Sequence, residues 1–275
     1  MDSTLRSNPQ LSPQRLPTLV GAFLVLLYAL GLAFGFELSS HWLGHLNAHG
    51  HAHLHPHGHP FVDARAWLCV PNAADTLSNL PFALMALWGL RLQALRGREL
   101  PAASRAALGV LWLGLFLTAL GSGLYHWLPT PVTLMADRLG MAVAFAGALA
   151  LSTAGLISQT AAWRALALLL PAATLAACLP LQGNLLPWLV VQFGGVLWLL
   201  LAAFGPRQAD ALAVRWGWVV AAYAVAKVFE VNDAPVFHAT ADWGVLQISG
   251  HTLKHFVAAA AVLPVLLALQ KLPRQ

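Results

Sequence analysis

Apolar runs of bilayer-spanning length, separated by short polar links, recur from one end of the chain to the other. They read as helices near residues 16–36, 72–92, 106–128, 131–157, 163–181, 186–205, 211–231 and 243–270. A helix needs roughly 20 predominantly apolar residues to cross the hydrocarbon core, so the pattern predicts an all-α membrane protein with eight spans. The run at 72–92 is the least regular, because its uninterrupted apolar part begins only after Asp75 and contains Ser78, Asn79 and Pro81. Pro81, Pro171, Pro187 and Pro264 lie within or near spans. Neighbouring helices in a membrane can satisfy the carbonyls a proline frees, so these positions are expected to be kinks rather than boundaries.

Composition supports the membrane assignment and removes other classes. Of the 275 residues 59% are hydrophobic and only 9% charged, far from the balance of a soluble domain. The net charge of +5 does not point to nucleic acid, because the basic residues sit in short links where they orient a membrane protein. Arg6 and Arg15 precede the first run, and Arg91, Arg96, Arg98 and Arg105 follow the second. Arg164, Arg207, Arg215, Lys271 and Arg274 fall at the alternate remaining ends, leaving mainly Arg65 on the opposite side. The positive-inside rule then places both termini in the cytoplasm of a bacterial-type plasma membrane. The first run follows two arginines as a signal peptide would, but it is longer than a usual signal core and lacks a convincing cleavage site, so a retained anchor is expected. Two cysteines, Cys69 and Cys178, exclude a disulfide framework and a four-thiolate metal site.

Five polar residues are stranded in these apolar helices: Ser122, His126, Asp137, His251 and His255. Residues four apart share a helix face, so Ser122 with His126, and His251 with His255, can each address one spot between helices. On the predicted topology Asp137 lies about 9 Å into its span and His251 about 12 Å into the last. All five would then occupy the outer half of the membrane. A single intramembrane His or Ser usually makes only a helix-to-helix hydrogen bond. Two such pairs and an acid at similar depth point instead to a metal site, in which His126, His251 and His255 would hold Zn2+ with a fourth position open to water. Asp137 would carry the proton of that water, and Ser122 would donate a hydrogen bond to it or to a developing oxyanion. The chemistry of such a site is hydrolysis of an amide or ester.

At these residues the chain resembles the alkaline ceramidases and the wider CREST superfamily of seven-span membrane hydrolases. GSGLYHWLP supplies Ser122 and His126, LMADRLGM supplies Asp137, and SGHTLKHF supplies His251 and His255, with the Asp eleven residues after the first His. The segment at residues 75–79, DTLSN, is similar to the Ser-Asn motif of the family's first core helix. The similarity covers about residues 70–270 and implies a cytoplasmic N-terminus at 1–15, an added transmembrane anchor at 16–36, an outer His-rich loop at 37–70 and a seven-helix core at 71–275. It also implies zinc on the three His, Ser122 and Asp137 serving the zinc-bound water, and a membrane lipid of the N-acyl sphingoid (ceramide) type as substrate. The chain departs from the family in two places. Only Asp63 stands where the eukaryotic enzymes carry an acidic, calcium-binding segment, and Arg138 replaces the acid that follows the Asp.

Other polar features fit around this reading. His41, His45, His49, His51, His53, His55, His57 and His59 form a tract of the kind that binds zinc, copper or nickel. It would either collect zinc for the buried site or be a solvated loop that binds metal incidentally. Lys227 and Glu230 are spaced for an i, i+3 ion pair, with a grip on a lipid head group as the alternative, and Lys254 is placed to snorkel or to pair with an acid. Trp42, Trp67, Trp127, Trp188 and Trp243 fall where an interfacial aromatic belt would lie. A divalent-metal transporter, or a receptor-like module holding zinc for structure alone, are the competing functions.

Overall fold

A computed structural model describes residues 15–48 and 61–273, with the side chains of all but residues 42–48 among them. Every regular element there is helical: α1 (Arg15–Ala48), α2 (Ala73–Leu77), α3 (Leu80–Arg96), α4 (Ala102–Trp127), α5 (Pro131–Leu156), α6 (Gln159–Cys178), α7 (Leu186–Leu189), α8 (Gly195–Phe204), α9 (Trp216–Val231), α10 (Asp233–Ala239), α11 (Gly250–Ala260) and α12 (Leu263–Gln270). Among the described residues six helical stretches are long and apolar enough to cross a bilayer: Arg15–His41, Ala102–Trp127, Pro131–Leu156, Gln159–Gln182, Leu186–Phe204 and Gly250–Gln270. The chain is an integral, multi-pass, all-α membrane protein.

Two of the eight predicted runs give shorter helices, for reasons visible in the sequence. The run at 72–92 is split at Ser78 and Asn79, whose side chains bond to the Asp75 carbonyl instead of continuing an apolar helix, leaving α3 with 17 residues. The run at 211–231 starts only at Trp216 and gives α9 16 residues. In the last run, residues 243–249 belong to a 3₁₀ turn and its exit, so the spanning helix begins at Gly250. At the other end of the chain α1 runs on past Phe36 through Ala48, carrying His41 and His45 on helix; His49 to His59 lie outside the described residues.

The prolines divide by position. Pro171 lies inside continuous α6, whereas Pro81, Pro187 and Pro264 each occupy the first turn of a new helical segment, where the missing N–H goes unused. Pro264 still acts as a kink, since α11 and α12 form one span interrupted at residues 261–262.

In hydrocarbon, packing one apolar helix on another gains little from the hydrophobic effect, so small residues and buried hydrogen bonds set the geometry. α4 and α5 illustrate this. A Cβ on Gly114 or Gly121 would collide with the backbone of α5, and one on Gly140 or Gly147 with that of α4. The turn between them is tight because Thr130 and Thr133 form a reciprocal cap with Pro131 at the first helical position. Backbone contact at Gly121 against Ala136 sets their chain neighbours, Ser122 and Asp137, side by side. Gly121→Leu should therefore push the helices apart and lower stability by roughly 1–3 kcal/mol. The check is thermal unfolding in detergent, where an unchanged midpoint would contradict the close approach.

α1 lies at the periphery with most of its apolar side chains exposed, and specific bonds hold it. Tyr28 donates to the Ala172 carbonyl (2.6 Å), Asn184 to the Gly31 carbonyl (3.0 Å), and the Leu185 N–H to Ser39 (3.1 Å). Bonds between membrane helices average about 0.6 kcal/mol each, so α1 is docked rather than tethered. Of the expected aromatic belt, Trp67, Trp127 and Trp243 are exposed, but Trp188 is 4% exposed and packs in a core cluster with Ala142 and Ala173. Trp188 is thus a packing residue, because residues 183–186 turn its segment inward.

Candidate metal centre

Three imidazoles from two helices meet inside the bundle. His126 is in the last turn of α4, and His251 and His255 occupy successive turns at the start of α11. They are 1%, 3% and 4% exposed. Their ring centroids form a near-equilateral triangle, 4.8 Å from His126 to His251, 4.9 Å from His126 to His255 and 4.9 Å from His251 to His255. One ligand nitrogen from each lies within 4.8 Å of the others, and the two Nε2 atoms of His126 and His251 are 3.3 Å apart. At that separation two imidazoles share either a proton or an ion.

The surrounding hydrogen bonds hold the rings and their helix in place. The Ser78 hydroxyl donates its single proton to the Asp75 carbonyl (2.9 Å) and also lies 2.7 Å from His255 Nδ1. With the hydroxyl proton on that carbonyl, the oxygen is placed to accept from Nδ1–H, the tautomer in which the Nε2 lone pair of His255 can ligate. His251 is held through its backbone N–H, which donates to Asp233 Oδ1 (2.8 Å) at the start of α11. Ser249 caps the same helix by accepting from the Thr252 N–H. Asp75, fully buried, accepts from the Thr252 hydroxyl (2.6 Å) and the Ser249 hydroxyl (3.3 Å), which ties α2 to the histidine helix. Asn72 donates to the His126 carbonyl (2.8 Å), and a Cβ on Gly250 would strike the Phe229 carbonyl, so α11 also sits tightly on the end of α9.

Ser122 and Asp137 complete the group. Ser122, 3% exposed, lies one turn before His126, and Asp137 stands beside it across the close α4–α5 contact. Both line, with all three His, one cavity of about 280 Å³. The structure thus brings Ser122, His126, Asp137, His251 and His255 around a single space. His251 reaches it at the second position of α11 rather than deep within a long helix.

The chain is a multi-span helical membrane protein with a buried three-His cluster. No protein-family model matches it, and neither a curated protein nor a solved structure proves similar to it. Its chemistry therefore has to be argued from the site.

Several residues around the centre were not assigned a role by spacing. Phe61 sets its ring edge-on to His126 (4.8 Å between centroids) and His251 (6.1 Å), covering the cluster from the segment just after the His-rich tract. That segment is anchored by Arg65, which is ion-paired with buried Asp63 (2.7 Å) and donates to the Gln247 carbonyl (2.6 Å). An aromatic before the second helical run carries no sequence signal of its own. Ser78 did carry one, since a polar break in an apolar run needs a buried partner. Losing that partner should matter: Ser78→Ala is expected to weaken metal affinity about 10- to 100-fold, as removal of groups that orient a ligand His typically does. Competition with a chelator of known affinity measures it, and an unchanged constant would separate Ser78 from the metal.

Proposed function

We propose that this protein is a zinc-dependent integral-membrane hydrolase that cleaves the amide of a lipid such as ceramide, an N-acyl sphingoid base. The observation that carries the reading is the convergence of three buried imidazoles with Ser122 and Asp137 on one cavity. Zinc fits the donor set. Tetrahedral Zn–N bonds of about 2.0–2.1 Å hold two nitrogens roughly 3.3 Å apart, the spacing of the His126 and His251 Nε2 atoms. His126, His251 and His255 would hold the ion, leaving one position for water, and when bound it would lower the pKa of that water to about 7 and polarise a carbonyl.

The chain's own residues supply the rest. Asp137 takes a proton as the water oxygen bonds to the acyl carbon, and returns it to the nitrogen as the C–N bond breaks, releasing a fatty acid and an amine. Ser122, beside Asp137 on the same cavity wall, would hold the carboxylate in the orientation that transfer needs. The narrow, partly apolar cavity, with Phe82, Met141 and Phe145 among its walls, keeps bulk water from the reacting atoms. The eight apolar runs support a seven-helix core with α1 as an added anchor, entered by lipid from the bilayer. The arginine distribution supports cytoplasmic termini and an outward-facing centre in a bacterial inner membrane.

A transporter would stage ligands along a path. Among the described residues His126, His251 and His255 are the only group of three or more metal-ligating side chains, which favours the hydrolase. The deciding experiment is incubation of purified, zinc-loaded protein with an N-acyl sphingoid lipid. Fatty acid release that chelation stops and zinc restores is the expected result; no release from any lipid amide would overturn it.

A further inference from the structure

α9 places Tyr223, Lys227 and Glu230 at i, i+4 and i+7, one stripe of polar side chains on a helix that is otherwise almost wholly apolar. All three line the cavity that holds the His cluster. The pairing expected from sequence forms, since Lys227 binds Glu230, yet Lys254 of α11 reaches the same carboxylate at 2.9 Å. Glu230 is thus doubly compensated, and the triad keeps one positive charge in excess. Arg138 and Asp137, also on the cavity wall, add one charge of each sign, and the carboxylates of Asp137 and Asp75 both lie within the field of Lys254. Asp75 does not line the cavity and is engaged by Ser249 and Thr252.

Beside this triad stands the Tyr223 hydroxyl, buried and with no hydrogen-bond partner among the described residues. Lys227 Nζ lies 5.9 Å from the centre of the Tyr223 ring, so the hydroxyl and the ammonium serve the same part of the wall. An unpartnered buried donor and two ammonium groups that share one carboxylate are each costly within a membrane. A single anionic group would satisfy both at once.

The geometry points to a binding subsite for the anionic oxygens of a phosphate or carboxylate, held by Lys227, Lys254 and the Tyr223 hydroxyl beside the metal centre. Charge-assisted bonds of this kind are about twice as strong as neutral ones, and Glu230 serves to pre-position the two ammonium groups. With the proposed hydrolase the natural source is a lipid whose head group carries such an anion. The inference rests on that reading only for what enters the cavity.

The test uses full-length, zinc-loaded protein and a chelated sample in nanodiscs of neutral lipid, titrated with dodecyl phosphate, dodecanol and inorganic phosphate. Dodecyl phosphate should bind in both samples, and Lys227→Met should weaken it about tenfold, with Tyr223→Phe weakening it several-fold. Glu230 keeps Lys254 in the first variant, and the second removes only an oxygen, so both retain the fold. Dodecanol affinity should not move. Inorganic phosphate that binds as tightly as dodecyl phosphate, with the same dependence on Lys227, would support the subsite and name a soluble anion as its occupant. Much weaker inorganic phosphate would support it and assign a lipid. Dodecyl phosphate affinity indifferent to both variants, or reduced in step with dodecanol, would overturn the subsite. Because binding is read without turnover, absence of hydrolysis would leave it standing, and its loss would leave hydrolysis of a neutral lipid standing.

Discussion

His251→Ala is expected to reduce bound zinc from about one ion per chain to a small fraction, and to abolish lipid cleavage with it. Two imidazoles remain, too few to hold zinc against water at ordinary concentrations. The loss should exceed the roughly 10- to 100-fold expected when only a supporting partner of a ligand is removed. The variant should still fold, because Asp233 binds the backbone N–H of residue 251 and Ser249 caps α11 whatever side chain follows. Metal analysis of the purified protein and lipid profiles of expressing cells are the two measurements. Zinc lost with amide products unchanged would identify a structural ion and end the hydrolase reading. Zinc retained would end the metal centre itself. His126→Ala and His255→Ala should behave alike, since the three rings occupy equivalent corners of one triangle.

Asp137→Asn separates chemistry from metal binding. The amide has the shape of the carboxylate, so the α4–α5 contact and the zinc content should be preserved. What disappears is a group able to take and return a proton. General acid–base catalysis contributes about 10²- to 10⁴-fold, so kcat should fall by that factor while KM changes little. Steady-state kinetics on zinc-loaded protein decide it. A kcat within threefold of the parent would assign proton transfer to another group.

Some of this was legible along the chain and some was not, and the division follows the range of the interactions. Helix is local: twenty apolar residues in a row have no alternative in hydrocarbon, so α4, α5 and α6 lie close to their predicted places. The i, i+4 spacing within SGHTLKHF and between Ser122 and His126 is equally local. Lengths at irregular runs were harder, because Ser78 and Asn79 trade helix continuity for bonds to the Asp75 carbonyl, and residues 243–249 form a turn despite their apolar content. Lys227 and Glu230 announced their pair by spacing, but the arrival of Lys254 from α11 at the same carboxylate did not show. Trp188 had the position of an interfacial residue and the environment of a core one.

The chain alone determined that this is a helical membrane protein and marked five polar side chains in its apolar runs, because both follow from the cost of leaving polar groups in lipid. Only tertiary structure decided that His126 meets His251 and His255, that Ser78 bonds one of them, and that Ser122 and Asp137 line the same cavity. Those contacts span tens to more than a hundred residues of sequence and depend on how closely two backbones approach, a property set by a glycine on one helix and a carbonyl on another.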